Sequence, residues 1–80
     1  MQASNPKEKL IVGVKQSTRA ISEGNAQIIF IAKDAEQHIT GRLLELANSS
    51  NVEIVYFESM KELGKYCKID VGAATAVLIK

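Results

Sequence analysis

Eighty residues, 46% of them hydrophobic, with no Trp and a net charge of +1, describe one small domain with an aliphatic core. The single cysteine, Cys67, excludes an internal disulfide and a cysteine metal cluster, and suits a reducing compartment. No apolar run is long enough to span a bilayer and no signal-peptide core opens the chain, so the expectation is a soluble, cytoplasmic protein with no membrane partner.

Residues 1–9 are polar, with Asn5-Pro6 as a breaker, and read as a frayed lead-in or a short helical turn. Leu10 to Val12 is a short strand that ends at Gly13. A helix follows from about Lys15 to Glu23 and stops at Gly24, a C′ residue suited to positive φ. The continuous run Ile28-Ile29-Phe30-Ile31-Ala32 is a strand covered on both faces. Asp34, with Gln37 three residues on, has the pattern of a capping box. The helix it opens sets Ile39, Leu43, Leu46 and Ala47 on one face. Asn48 to Asn51 is a turn, and Val52 to Phe57 a third strand. Ser59 and Glu62 repeat the capping-box pattern, and Met60, Leu63 and Cys67 form the inner face of a short helix. The loop Lys68 to Gly72 leads to a last strand, Ala74 to Ile79. Strand and helix alternate throughout, which predicts a layered α/β sandwich as a single domain over residues 1–80.

Strands joined by helices run parallel, so the turns after the first three strands leave the sheet at one edge, where open α/β sheets take their ligands. The direction of the last strand is left open by the pattern. Gly13-Val14-Lys15-Gln16-Ser17-Thr18-Arg19 occupies the first of those turns. A helix N-terminus favours anions through its unpaired N–H groups and dipole. Two cations and an amide on that turn suit a phosphate and the edge of a base. Lys15, Arg19, Lys33, Lys61, Lys65 and Lys68 fall in or beside the segments placed at this end, so charge distribution outweighs the small net charge. The expected activity is RNA binding.

Other function classes lack their residues. The first turn has neither the G-x-x-x-x-G-K-[ST] of a nucleotide hydrolase nor the G-x-G-x-x-G of a dinucleotide site. His38 and Cys67 stand alone on different predicted helices, so no nucleophile–base pair, metal site or cofactor is expected. The alternative is a protein-interaction module on the same fold.

The order of three motifs resembles the kink-turn RNA-binding ribosomal proteins of the L7Ae/L30e superfamily, its bacterial members above all. The motifs are Gly13 to Arg19, Ile31-Ala32-Lys33-Asp34-Ala35, and Leu63-Gly64 leading into Ile69-Asp70-Val71-Gly72-Ala73-Ala74. The resemblance covers Leu10 to Ile79. It implies a three-layer α/β/α sandwich with a four-stranded mixed sheet whose last strand is antiparallel, which sets 68–73 beside the Gly13 turn. It also implies RNA sharply bent at an internal loop with sheared G·A pairs, in ribosomal RNA or elsewhere, bound by a monomer associated with the ribosome. Gln16 and Arg19 would contact guanine edges, Lys15 backbone or base, and Ile69, Asp70 and Val71 would pack against an extruded nucleotide. Archaeal members carry Asn-Glu where this chain has Lys15-Gln16, a neutral amide in place of a carboxylate.

Residue by residue, plainer readings stand beside these. Gly13 either ends a strand or admits RNA backbone. Lys15 and Arg19 are like charges four apart with no acidic partner in view, which favours an anionic ligand. Val71 and Ala73 are core residues at a strand start or an apolar platform for a splayed base. Gly64 and Gly72 are backbone devices. Asp34 is a helix N-cap, Cys67 a core residue, His38 a surface or half-buried helix residue, and Gly41 a point of tight helix packing.

Overall fold

Alternating apolar runs and glycine stops produce seven elements in the computed structural model, which describes residues 10–80. They are β1 (Leu10–Val12), α1 (Val14–Ser22), β2 (Ala26–Ala32), α2 (Gln37–Ser49), β3 (Glu53–Phe57), α3 (Met60–Tyr66) and β4 (Thr75–Ile79). The expected lead-in at 1–9 lies outside the described residues.

The sheet order is β1-β4-β2-β3. β2 and β3 pair in parallel, with Phe30 opposite Val55, whereas β4 lies antiparallel between β1 and β2, with Ala76 opposite both Val12 and Phe30. The last strand thus has the antiparallel direction that the resemblance implies.

Side-chain alternation splits the core into two layers. Ile29, Ile31 and Val77 face α1 and α2, meeting Ala20, Ile21, Leu43 and Ala47. Phe30, Ala32 and Ala76 face the other way, against Leu63 of α3, Ala35 and Ala73. Phe30, Phe57 and Tyr66 extend that second layer with ring centroids 5.1–5.8 Å apart, a spacing at which tilted aromatic pairs attract. The result is a three-layer α/β/α sandwich, and β2 is an internal strand buried on both faces over Ile29 to Ala32.

Several local expectations change. Asp34 does not cap α2, which starts at Gln37 behind Glu36 with no side-chain cap. A turn closed by Ala35 N–H to the Ala32 carbonyl buries Ala35 and delays the helix. The Asp34 carboxylate instead accepts the Met60 N–H at 2.8 Å, across the molecule at the start of α3. There it joins Ser59, whose hydroxyl accepts the Glu62 N–H at 3.1 Å as the capping-box pattern predicts. Two acceptors on one helix start suit its positive end. Gly41 is not a packing contact: a Cβ there would meet nothing within 4 Å. Cys67 is the half-buried C-cap of α3 rather than a core residue, and Met60 is exposed at the helix start. Helix α2 runs two residues into the expected turn, and its buried face includes Thr40.

Candidate nucleic-acid interface

β1, β2 and β3 run one way and β4 the other, so the ends of the first three strands and the start of the fourth share one edge. Backbone hydrogen bonds join the segments there. Gly13 N–H donates to the Thr75 carbonyl (3.0 Å), Ala32 N–H to Ala74 (3.0 Å) and Lys33 N–H to Phe57 (2.9 Å). Gly13 and Thr75, far apart in the chain, are thereby joined, so the 69–73 loop that leads into β4 leaves the sheet at the same edge as the Gly13 turn and Lys33.

Gly13 is the N-cap of α1 at φ 119°, ψ 151°, a region only glycine occupies readily. A Cβ there would also lie 2.5 Å from Gln16 Oε1. The Gln16 amide can move aside, so the positive φ is the firm requirement for glycine, and it arises where β1 ends and α1 begins. No side chain caps α1 and no acid stands in its first turn, which leaves its leading N–H groups open to an anion. Val14 packs partly on the core, while Lys15, Gln16 and Arg19 are exposed. Arg19 does have an acidic partner: its Nε lies 3.2 Å from Glu23 Oε2. The pair is exposed and contributes little to stability, so Arg19 can exchange it for a ligand. Directly behind this turn, Ser17 Oγ and Thr75 Oγ1 are enclosed with no hydrogen-bond partner among the described residues.

The 68–74 loop is firmly held. α3 ends with Lys68 at φ 63°, a left-handed residue that closes the helix, and Ile69 N–H donates to the Gly64 carbonyl (3.0 Å). Ala73 N–H donates to the Met60 carbonyl (3.0 Å). The Val71 carbonyl lies against Gly64, where any Cβ would collide with it, and Gly72 packs on Met60. Both glycines are therefore backbone devices. The two readings of Val71 and Ala73 divide: Val71 is 69% exposed at the loop tip, and Ala73 is 4% exposed in the core. Ala73 thus offers no side chain to a ligand, and half-buried Ile69 packs under the loop. Asp70, Val71 and Gly72 form the open surface.

The cations are not equally available. Lys33 Nζ pairs with Glu58 Oε2 at 3.1 Å. Lys15, Arg42, Lys61, Lys65 and Lys68 have no ion-pair partner among the described residues. Arg42 is absent from the sequence reading, yet α2 brings it to the groove that Lys15 and Arg19 also line. Its signal, an exposed cation one turn beyond Ile39, is indistinguishable from a solvated helix position without knowing that α1 and α2 are neighbours. Burial raises the Cys67 thiol above its ordinary pKa, the opposite of what an activated nucleophile needs. Among the described residues no cluster of His, Cys, Asp and Glu is fit to hold a metal ion, and no helix is long and apolar enough to cross a membrane.

Comparison with known proteins agrees with this architecture. Residues 1–80 match the model of the ribosomal protein L7Ae/L30e/S12e/Gadd45 family. An RNA-binding protein of Geobacillus sp. (strain WCH70) is 44% identical over 72 residues, 90% of this chain and 88% of that protein. The large ribosomal subunit protein eL8 of Halobacterium salinarum is 38% identical over 68 residues, 84% of this chain but 57% of its own length. Among solved structures, the Giardia lamblia 15.5kD RNA binding protein superposes with a TM-score of 0.85 at 24% identity, over 91% of this chain and 62% of that one, a likeness of fold.

Proposed function

Because the chain belongs to the ribosomal protein L7Ae/L30e/S12e/Gadd45 family, we propose that it is a non-catalytic RNA-binding protein that recognises sharply kinked RNA and stabilises the bent form. The observation that carries this reading is the juxtaposition, through the Gly13–Thr75 backbone bond, of an uncapped cationic helix start with an exposed apolar loop tip. The helix start holds phosphate and reads the edges of sheared G·A pairs with Gln16 and Arg19. Lys15 lies against backbone or base, Asp70 and Gly72 border the loop surface, and Val71 supports an extruded nucleotide. Only RNA already bent presents groove and extruded base together. The protein therefore binds that form better and shifts the equilibrium towards it. The ribosomal relative supports a ribosome-associated role, in which the protein would act as a cytoplasmic monomer.

The test compares binding of a G·A-flanked kinked RNA with a straight duplex of the same composition. We expect clear preference for the kinked RNA. Arg19→Ala should remove about 1–3 kcal/mol of it, while Lys65→Ala should weaken binding slightly and equally for both RNAs. Equal loss on both RNAs with Arg19→Ala would reduce Arg19 to a phosphate contact. Indifference of the unaltered protein to RNA shape would favour the interaction-module alternative.

A further inference from the structure

An open groove of about 890 Å³ separates α1 from α2 and begins at the helix start described above. Its floor is aliphatic, with Val14, Ile39 and Leu46 half-buried along it, and its rims carry Lys15 and Arg19 on one side and Arg42 on the other. Glu45 is the only acid among the lining residues. Arg42 is exposed and without an ion-pair partner among the described residues, on the helix that supplies no residue to the site proposed above.

We propose that this groove is a second RNA contact, a track for the sugar–phosphate backbone of the strand that leaves the kink, with Arg42 as its far phosphate ligand. The inference rests on the reading of α1 as an RNA-binding helix. Two observations favour RNA as the occupant. Lys15 at the helix start and Arg19 one turn further along α1 both line the groove, so a strand held at the helix start is led along α1 into it. The rims are cationic by three charges to one, counting the two lysine-and-arginine positions of α1 and Arg42 against Glu45. Among the lining residues there is no Phe, Tyr or Trp and one imidazole, His38, so the groove is not the run of aromatic faces on which single-strand platforms stack successive bases. Its aliphatic floor suits the C–H faces of ribose, with phosphates turned outward to the rims. Arg42 therefore adds affinity and salt dependence without reading sequence.

The test uses two RNAs: one with a long stem flanking the bent internal loop, and the same RNA cut back to the loop and its closing pairs. Arg42→Gln should weaken binding of the long RNA about three- to tenfold and lower its salt slope by about one, and leave the cut-back RNA unchanged. Arg42→Lys should recover most of the loss. If Arg42→Gln changes neither RNA, or both alike, the track is overturned, and the groove is left to a protein partner. Failure of the kink reading shows separately, as equal affinity of the unaltered protein for kinked and straight RNA. The difference between long and cut-back forms is then read on the straight RNA.

Discussion

Val71 makes the sharpest residue-scale case, because its backbone is locked against Gly64 while its side chain is 69% exposed. Val71→Asp should therefore unfold within a few degrees of the unaltered protein. Its carboxylate would face both RNA phosphate and an apolar base surface, and kinked-RNA affinity should fall about tenfold or more. A cooperative loss of folding would instead assign Val71 a core role. Cys67 gives a prediction of the opposite kind. Burial raises its folded-state pKa, so the thiol form is favoured by folding. That contribution is full below the ordinary thiol value of 9.0 and is lost as pH rises through the higher folded value. Unfolding free energy in urea should decline more steeply for the unaltered protein than for Cys67→Ala as pH rises from the ordinary thiol value towards the higher folded one, and Cys67 should label more slowly folded than unfolded. Asp34 shows why single residues were only partly legible. Its spacing to Gln37 satisfies a local rule, but its carboxylate finds a helix start 26 residues away, which no local pattern encodes.

At the scale of elements, two helical glycines look alike in sequence and differ in structure. Gly41 in α2 has open space where a Cβ would go, whereas Gly64 in α3 has the Val71 carbonyl. Gly41→Ala should stabilise the fold by about 0.5–1 kcal/mol, the helix-propensity gain alone. Gly64→Ala has the same propensity gain but forces the loop away, and should cost about 1–3 kcal/mol net. Chemical denaturation of the two variants checks both signs. Gly64→Ala should also reduce RNA binding, because the loop it displaces carries Val71. The existence and type of every described element were legible, since apolar runs, Gly24 and the Ser59–Glu62 cap are local signals. Gly24 does take positive φ (75°), and Ser59 does cap α3. The environment of each glycine was not legible, because it depends on which element lies opposite.

For the whole molecule, a net charge of +1 conceals an uneven surface. Lys33 is engaged by Glu58, whereas Lys15, beside the open helix start, has no ion-pair partner among the described residues. Lys15→Gln should lower the salt slope of RNA binding by about one, and Lys33→Gln should change it little. Titrations over a range of potassium chloride concentrations measure this. An equal change for both would mean that Glu58 releases Lys33 to the RNA. The direction of β4 was the one global feature that composition and periodicity left open. A strand reached through a loop can enter a sheet either way, and only the resemblance to a known family chose between them.

The position of β4 also sets an order in time. β4, the last of the described strands in chain order, is interior to the sheet, lying between β1 and β2, so β1 has no strand partner among the described residues until 75–79 have been synthesised. Local helices can form earlier, but pairings between residues more than sixty positions apart must wait, and such pairings form slowly. A nascent chain halted before β4 holds the cationic turn of α1 and the loop tip, but lacks the strand whose Thr75 carbonyl ties the two to one edge. The proposed RNA-binding edge is therefore assembled late, as β4 closes the sheet.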